Sequence, residues 1–339
     1  MWAMMQKFRI CSGGVADGVN AVRAIGDTRG YLGDRGDWRS SSHAPARGIP
    51  AAGAVTGVLR TVTFTLLALV AFASNSLLTR LALGTRQLDA ASFTAIRLVS
   101  GAIVLVAIVL VQSRSSRALI GGGFAGPLAL FAYAAPFSFA YLRIGAAVGA
   151  LVLFGVVQLT MIGYGIVRGE RPTPIMWLGL ALAAGGLLAL TVPAVARPDP
   201  IGVLLMAIAG VAWGAYSLLG RGAPDPLAAN ARSFLWSMPF VTLLAALPRG
   251  VVAATPRGVA LAMVSGAVTS GLGYAIWYRA LPGLTVTQAA VAQLSVPVVA
   301  ALGAAMLLGE AIGVRLIVSG AAVLGGVALV LSARARHRT

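Results

Sequence analysis

From residue 60 onward, apolar runs of about twenty residues alternate with short polar breaks. A helix of about twenty residues, rising about 1.5 Å per residue, crosses a hydrocarbon core of about 30 Å, so each run predicts a transmembrane helix. The breaks near Arg143 and at 282–285 are weak, which leaves the third, fourth, eighth and ninth runs the least sharply bounded. Ten runs are present, at roughly 61–83, 92–112, 118–141, 145–167, 174–194, 201–221, 229–248, 258–280, 286–308 and 313–333.

The pattern occurs twice along the chain. Glu170 ends the fourth run and Glu310 the ninth, each directly after a glycine, and a glycine pair beginning at Gly185 or Gly325 lies fifteen residues further on. Both features recur at the same offset of 140 residues, which predicts two copies of one five-helix unit. Because five is odd, the second copy enters the membrane from the opposite side, and the repeats are predicted to be inverted. The units are residues 60–195 and 200–333.

Composition supports a membrane protein with all-α architecture. The 339 residues are 58% hydrophobic and only 10% charged, which excludes an ordinary soluble globular protein. The net charge of +17 raises the question of nucleic-acid binding, but after residue 60 the cations stand singly between apolar runs. Such cations belong to loops and helix ends, so we expect the lipid bilayer and a small-molecule substrate as partners and no nucleic acid.

The two ends of the chain differ from the rest. Residues 1–59 are rich in Gly, Ser, Asp and Arg without apolar periodicity and predict a disordered basic tail, although an over-extended start codon explains them too. Loop arginines divide evenly between the two sides, so orientation rests on the arginines of the tails, including residues 334–339. These favour cytoplasmic termini. The Arg-, Ala- and Gly-rich composition favours a bacterial source and hence the inner membrane.

Carboxylates are absent from the middle of every predicted helix. The absence argues against proton coupling through an intramembrane acid, and for Glu170 and Glu310 it favours a cap or salt bridge at a helix end over a transport role. With one cysteine and both histidines in the tails, we expect no metal, cofactor or catalytic residue. The acids after residue 60 are Asp89, Glu170, Asp199, Asp225 and Glu310.

Two arginines lie near the start of the second helix of their repeat, Arg97 and Arg232. A long cationic side chain near a helix end commonly reaches the membrane interface and anchors the helix there. We favour this structural interpretation for both. The alternative is contact with an anionic or zwitterionic substrate.

Polar and aromatic residues deeper in the runs predict a substrate-binding cavity. An unsatisfied amide is costly in hydrocarbon, so these groups must face protein or water. Each alone is more often a contact between helices than a ligand, but together they supply hydrogen-bonding groups with aromatic walls. The candidates are Asn75, Tyr133, Gln158, Trp213, Tyr216, Tyr274, Gln288 and Gln293.

Proline and small residues predict local breaks and close packing. Pro297 lies four residues after Gln293, so it would release the carbonyl of Gln293, and a kink there would re-aim the Gln293 side chain. The first copy has Val157 at the corresponding place, which puts a matching break in doubt. The Ala-x-x-x-Gly spacings ending at Gly185 and Gly325 predict close helix contacts, favoured within the bundle over a dimer interface.

The sequence resembles the drug/metabolite transporter superfamily, EamA type, over about residues 61–333. The features that carry the resemblance are the inverted five-helix repeats, the Gly-Glu at the end of each fourth helix, Pro297, the arginines Arg97 and Arg232, and the glycine-rich final helices. The resemblance implies movement of small metabolites such as amino acids, or of drug-like molecules, through a central cavity by alternating access. It does not imply one substrate.

Three function classes remain open. The leading one is an exporter or facilitator, a monomer or homodimer, whose two bundles rock around a site made by the first, third, fourth, sixth, eighth and ninth helices. The second is a membrane receptor or assembly subunit without flux. The third, a membrane-embedded lipid enzyme, is disfavoured because the sequence offers no paired carboxylates, metal cluster or activated nucleophile near the interface.

Overall fold

A computed structural model describes residues 52–113, 116–191, 198–246, 254–333 and 336–337. Short π-helical turns lie at Arg80–Gly84 and Ser265–Leu272, and 3₁₀ turns at Ser116–Leu119, Leu281–Gly283 and Gln293–Ser295. Strands β1 (Glu170–Arg171) and β2 (Arg336–His337) form a short antiparallel pair. The helices are α1 (Ala52–Thr79), α2 (Ala90–Ser113), α3 (Ala125–Val167), α4 (Pro174–Thr191), α5 (Pro200–Arg221), α6 (Pro226–Trp236), α7 (Met238–Ala245), α8 (Pro256–Val264), α9 (Gly273–Ala280), α10 (Val286–Ala292), α11 (Val296–Leu308) and α12 (Val314–Ser332).

The all-α membrane architecture predicted from the sequence is confirmed. Across the described segments, eight helical stretches are long and apolar enough to span a membrane. Large apolar side chains such as Leu159, Met306 and Leu307 are exposed on the outside of the bundle. An exposed surface of this kind suits contact with lipid, whose tails are as apolar as the side chains themselves.

Helix α3 contains two of the predicted spans. Gly145 interrupts it with φ 67° and ψ −179°, a left-handed backbone that favours glycine. Phe137 and Phe154, on opposite sides of Gly145, line the same small cavity, so the two arms of α3 fold back on each other. With α3 counted as two arms and α6–α7 as one interrupted span, the helices are consistent with ten spans. The count of ten and the inverted relation of the repeats stay predictions.

Two predicted boundaries are wrong. Helix α1 begins at Ala52, so the disordered tail predicted for residues 1–59 extends too far; residues 52–59 are mostly Ala, Val and Leu and continue the apolar run. The rest of that tail lies outside the described residues, as do positions 334–335 and 338–339 of the other. The third span begins at Ala125 rather than at residue 118, because Gly121 and Gly122 have φ of 85° and 83° and cannot continue a right-handed helix.

Helices α4 and α12, the last helices of the two predicted repeats, pack directly against each other. A Cβ added to Gly186 would lie 2.8 Å from the Ser319 carbonyl oxygen, and one added to Gly326 would lie 2.6 Å from the Ala183 amide nitrogen. Gly185 has open space around it. The predicted contact within the bundle is therefore present, but the second glycine of each pair makes it, because one residue turns a helix face by about 100°.

Candidate functional site

A cavity of about 210 Å³ enters the bundle from one end, between α1, the two arms of α3, α4, α5 and α11. Its mouth carries an ion pair between Arg80 and Glu310, whose side chains are 45% and 43% exposed. The deeper wall is mostly apolar and includes Phe137, Leu153, Phe154, Met206 and Pro297. The arrangement gives access from one end to a largely apolar interior.

A smaller cavity of about 30 Å³ continues this space toward the centre of the bundle. The two cavities share the lining residues Ser76, Phe137, Leu153, Phe154 and Val296. The inner one adds four of the residues that the sequence analysis singled out, namely Asn75, Tyr133, Trp213 and Tyr274. These four come from α1, the first arm of α3, α5 and α9. These helices correspond to the first, third, sixth and eighth predicted spans, which are among the six expected around the site.

An aromatic cluster forms the floor of the inner cavity. We define it as Phe72, Tyr133, Trp213, Tyr216 and Tyr274. Ring centroids lie 4.7 Å apart for Trp213 and Tyr274, 4.8 Å for Tyr133 and Trp213, and 5.2 Å for Phe72 and Trp213. All five side chains are buried. The cluster closes the interior beyond the cavity.

Arg97 lies behind this floor, fully buried in α2. Its Nε donates to Ser270 Oγ at 2.8 Å, and its Nη2 donates to the hydroxyls of Tyr133, at 3.4 Å, and Tyr274. The guanidinium carbon also lies 5.3 Å from the centre of the Tyr133 ring. The anchoring interpretation of Arg97 is therefore wrong, because the side chain turns inward and is held by polar partners rather than reaching the interface.

The close approach of α2 to the π-helical turn explains this inward position. A Cβ on Gly266 would overlap the carbonyl oxygen of Arg97, so only glycine permits the contact. The turn brings Ser270 to Arg97, and it also brings Ser265 to within 2.7 Å of Asn75 Oδ1, to which its hydroxyl donates. Neither serine is among the site residues predicted from the sequence. The signal available was the repeated Ser-Gly at 265–266 and 270–271.

Arg232 has a different environment. It is half-buried in α6, and its Nη1 donates to the carbonyl of Ala118 at 2.8 Å. It borders a separate cavity of about 320 Å³ that also includes Gly122 and Trp236. Arg232 therefore fixes the turn before α3 and is not part of the floor.

Tyr216 is tied to a residue that the sequence analysis did not single out. Its hydroxyl donates to Asn230 Oδ1, and Asn230 Nδ2 donates to the carbonyl of Gly271 at 2.7 Å. Both side chains are fully buried. Tyr216, the member of the aromatic cluster that does not line the inner cavity, thus joins α5 to α6 and to the π-helical turn.

Two of the predicted glutamines support the site from the 3₁₀ turn after α10 and from the second arm of α3. Gln293 Oε1 accepts from Trp213 Nε1 at 2.5 Å, which fixes the indole in the floor. Gln158 Nε2 donates to the carbonyl of Ala290 at 2.7 Å. Both side chains are buried, so their contacts are with neighbouring helices.

Gln288 does not belong to this group. It forms a capping box with Thr285 at the start of α10, and its amide donates to the carbonyls of Leu331 and Ala333 at 3.1 and 3.2 Å. Its place among the predicted cavity residues is therefore wrong. The reason is that Gln288 lies in the first turn of α10, where a glutamine side chain satisfies free backbone groups of its own helix and of α12.

The interruption predicted near Pro297 is present. A 3₁₀ turn, Gln293–Ser295, separates α10 from α11. The Gln293 carbonyl does not stay free, however, because the amide of Val296 donates to it in the tightened turn. At the corresponding place in the first copy, Val157 is buried within an uninterrupted arm of α3.

Glu170 caps helix α10. Its carboxylate accepts from the amides of Val286, at 2.6 Å, and Thr287, at 3.0 Å, and from the Thr287 hydroxyl at 2.9 Å. Arg221 Nη1 lies 3.8 Å away. A carboxylate at a helix N-terminus binds free amides and favours the positive end of the helix dipole. This closes the end of the bundle near β1.

The fold and the site together define a polytopic helical membrane protein with a cavity that is open at one end. The model of the EamA-like transporter family matches residues 200–332. "Uncharacterized protein PA1977" of Pseudomonas aeruginosa is 51% identical over 275 residues, which is 81% of this chain and 96% of that protein. The chain belongs to the EamA-like transporter family, whose members are membrane transporters.

A solved structure described as "Crystal structure of protein" superposes with a TM-score of 0.68 at 20% identity, and the match covers 81% of this chain and 97% of that one. At this identity the similarity is one of fold.

Proposed function

We propose that this protein moves a small amphipathic metabolite across the bacterial inner membrane by alternating access, as an exporter or facilitator. The observation that supports this best is the cavity that enters past Arg80 and Glu310 and stops at the aromatic cluster. A bound molecule there is accessible from one end only. Both termini are proposed to be cytoplasmic, which puts the open mouth on the outer face.

The opposite end has the contacts that a closed gate needs. Glu170 on the loop after α3 holds the first turn of α10, and Gln288 in that same turn holds the end of α12. The contact of Glu170 joins the two predicted repeats, and the contact of Gln288 fixes α10 to α12 within the second repeat. Release of them, with closure around Glu310, would expose the same floor to the other side, as expected for a carrier built from two pseudo-symmetric halves.

The polarity of the cavity argues for coupling other than through an interior acid. Within the described residues, the one carboxylate that lines the space is that of Glu310, at the mouth. A carboxylate titrating in mid-membrane is the usual way to couple a carrier to protons. We therefore expect flux in proteoliposomes to be insensitive to an imposed proton gradient. A several-fold stimulation at fixed membrane potential contradicts this.

Transport itself is tested with compounds that change in metabolite profiles of cells with and without the protein. In proteoliposomes we expect Trp213→Ala and Phe154→Ala to reduce flux of such a compound by about tenfold or more, because both side chains form the cavity wall. Leu159→Ala, on the outside of the same arm of α3, is the matched control. Unchanged flux in both cavity variants refutes the proposed pathway.

A further inference from the structure

We propose, resting on the transport function above, that the cavity floor recognises a negative charge and that the substrate is a small organic acid with an apolar body. Its carboxylate would meet Tyr133 and Tyr274, with Arg97 behind them. The Arg97 guanidinium donates to both tyrosine hydroxyls, and both tyrosines line the inner cavity.

The charge of Arg97 is not balanced by its surroundings. An arginine stays protonated in proteins, and a buried charge is costly unless an opposite charge or hydrogen bonds compensate for it. Arg97 is fully buried and its partners in the described structure, Ser270, Tyr133 and Tyr274, are neutral hydroxyls. Its Nη1 has no hydrogen-bond partner there. The site therefore favours an anion.

The acids that could neutralise Arg97 are engaged elsewhere. Among the described residues, Glu310 pairs with Arg80 and Glu170 caps α10. The remaining three each accept hydrogen bonds from backbone amides at the start of a helix. They are Asp89 at α2, Asp199 at α5 and Asp225 at α6. No carboxylate of the described residues is thus left to neutralise Arg97, and an anionic ligand would supply one.

The inner cavity gives a ligand access to the tyrosine partners of Arg97. Tyr133 and Tyr274 both line the inner cavity, and both hydroxyls accept hydrogen bonds from Arg97. A tyrosine hydroxyl that accepts a hydrogen bond keeps its own proton as a donor. Tyr133 can therefore donate to a carboxylate in the cavity while Arg97 polarises it, and hydrogen bonds to ionised groups are about twice as strong as neutral ones.

The rest of the cavity decides the shape of the molecule. Between the mouth and the floor the walls are formed by side chains such as Phe137, Leu153 and Phe154. These favour an apolar or aromatic body. A cationic compound would meet the uncompensated charge of Arg97, so we expect the site to disfavour it.

The test compares three probes that share a phenyl ring on a three-carbon chain and differ in charge. They are the anion phenylpropanoate, the neutral phenylpropanamide and the cation phenylpropylamine. Binding to the purified protein in lipid nanodiscs is followed by tryptophan fluorescence, since Trp213 lies in the cavity wall. We expect the acid to bind about ten- to hundredfold more tightly than the amide, as for one hydrogen bond to a buried charge, and the amine to bind most weakly.

Variants assign the preference to Arg97. Arg97→Gln should make acid and amide bind equally, and Arg97→Lys, which keeps the charge, should retain part of the preference. Tyr133→Phe should reduce the preference severalfold, because the lost hydrogen bond is stronger to a carboxylate than to an amide carbonyl. Arg232→Gln, outside the cavity, should leave the acid-to-amide ratio unchanged and serves as the charge control.

Equal binding of acid and amide by the wild type, or no binding of the acid, overturns the proposal. A preference that persists in Arg97→Gln also overturns it. If Arg97→Gln does not fold, an unaltered acid-to-amide binding ratio in both Arg97→Lys and Tyr133→Phe overturns the proposal instead. An acid preference without flux of any compound refutes transport and leaves only the recognition of a negative charge by the floor. Flux of neutral metabolites without an acid preference supports transport and overturns the recognition of a negative charge.

Discussion

Glu170 and Glu310 occupy corresponding positions in the two predicted repeats, yet their carboxylates have different partners. Glu170 is 8% exposed and binds the first amides of α10. Glu310 is nearly half exposed and pairs with Arg80 at the mouth of the cavity. Residue type and spacing are the same, so the difference comes from the bundle around them: it is closed at the first glutamate and open at the second.

The comparison predicts what Glu310 does in the opposite state. The residues that correspond to Val286 and Thr287 at the offset of 140 are Ala146 and Ala147, at the start of the second arm of α3. Both line the open cavity together with Glu310. We therefore expect the Glu310 carboxylate to cap this arm when the mouth closes, as Glu170 caps α10 in the present state.

The largest expected effect is a block of flux by cross-linking either end. In a Cys11→Ser background, we expect the pair Glu170→Cys with Thr287→Cys to react with a short thiol cross-linker in the state described, and the pair Glu310→Cys with Ala147→Cys to react only when the mouth closes. Either link should abolish transport in proteoliposomes. Undiminished transport by a fully cross-linked protein contradicts the expectation that Glu170 and Glu310 alternate as helix caps.

Removal of the two carboxylates should have unequal effects on stability. Glu170→Ala leaves the buried amides of Val286 and Thr287 without partners, and we expect a loss of about 2–4 kcal/mol. Glu310→Ala breaks an exposed ion pair and should cost less than about 1 kcal/mol. Denaturation of both variants in detergent measures the difference. Equal losses of stability in the two variants would contradict a closed end at Glu170 and an open end at Glu310.

The packing of α4 on α12 offers a comparison between neighbouring residues. Gly186→Ala places a Cβ against the Ser319 carbonyl and should destabilise the bundle by about 1–3 kcal/mol. Gly185→Ala meets open space and should be neutral or slightly stabilising. The same unfolding assay decides. A larger loss of stability for Gly185→Ala than for Gly186→Ala would show that the first glycine of the pair makes the contact with α12.

The smallest effect concerns the exposed pair of Asp199 with Arg143, at 2.7 Å. The hydrogen bond from Arg143 lowers the pKa of Asp199 below its ordinary value of 3.8. Because the folded pKa is depressed, the contribution is present at neutral pH and is lost as pH falls below about 3.8 through the lowered pKa. Asp199→Asn keeps the cap on α5 but not the charge. Its small deficit in thermal stability should vanish in acid, and an undiminished deficit there contradicts the assignment.

Local signals in the sequence predicted much of the fold. Run length predicted the spans, and Pro297 and the weak break near Arg143 predicted interruptions that lie at Gln293–Ser295 and Gly145. The grouping of Asn75, Tyr133, Trp213 and Tyr274 around one cavity also followed, because polar and aromatic groups inside apolar runs face protein rather than lipid.

Contacts between distant helices could not be predicted in this way. Arg97 was placed at the interface because its position along the run resembles that of an anchoring arginine, yet the glycine at 266 lets α2 approach so closely that the side chain is enclosed. Gln288 and Gln293 are the same residue type five positions apart, and only the tertiary structure separates a helix cap from a support of Trp213.

The 43 residues of α3 would extend roughly 65 Å as one straight helix, about twice the hydrocarbon thickness. A straight helix of that length could not fit within one bilayer. The single residue Gly145, whose φ of 67° a side chain would disfavour, is therefore what lets both arms of α3 lie within the membrane.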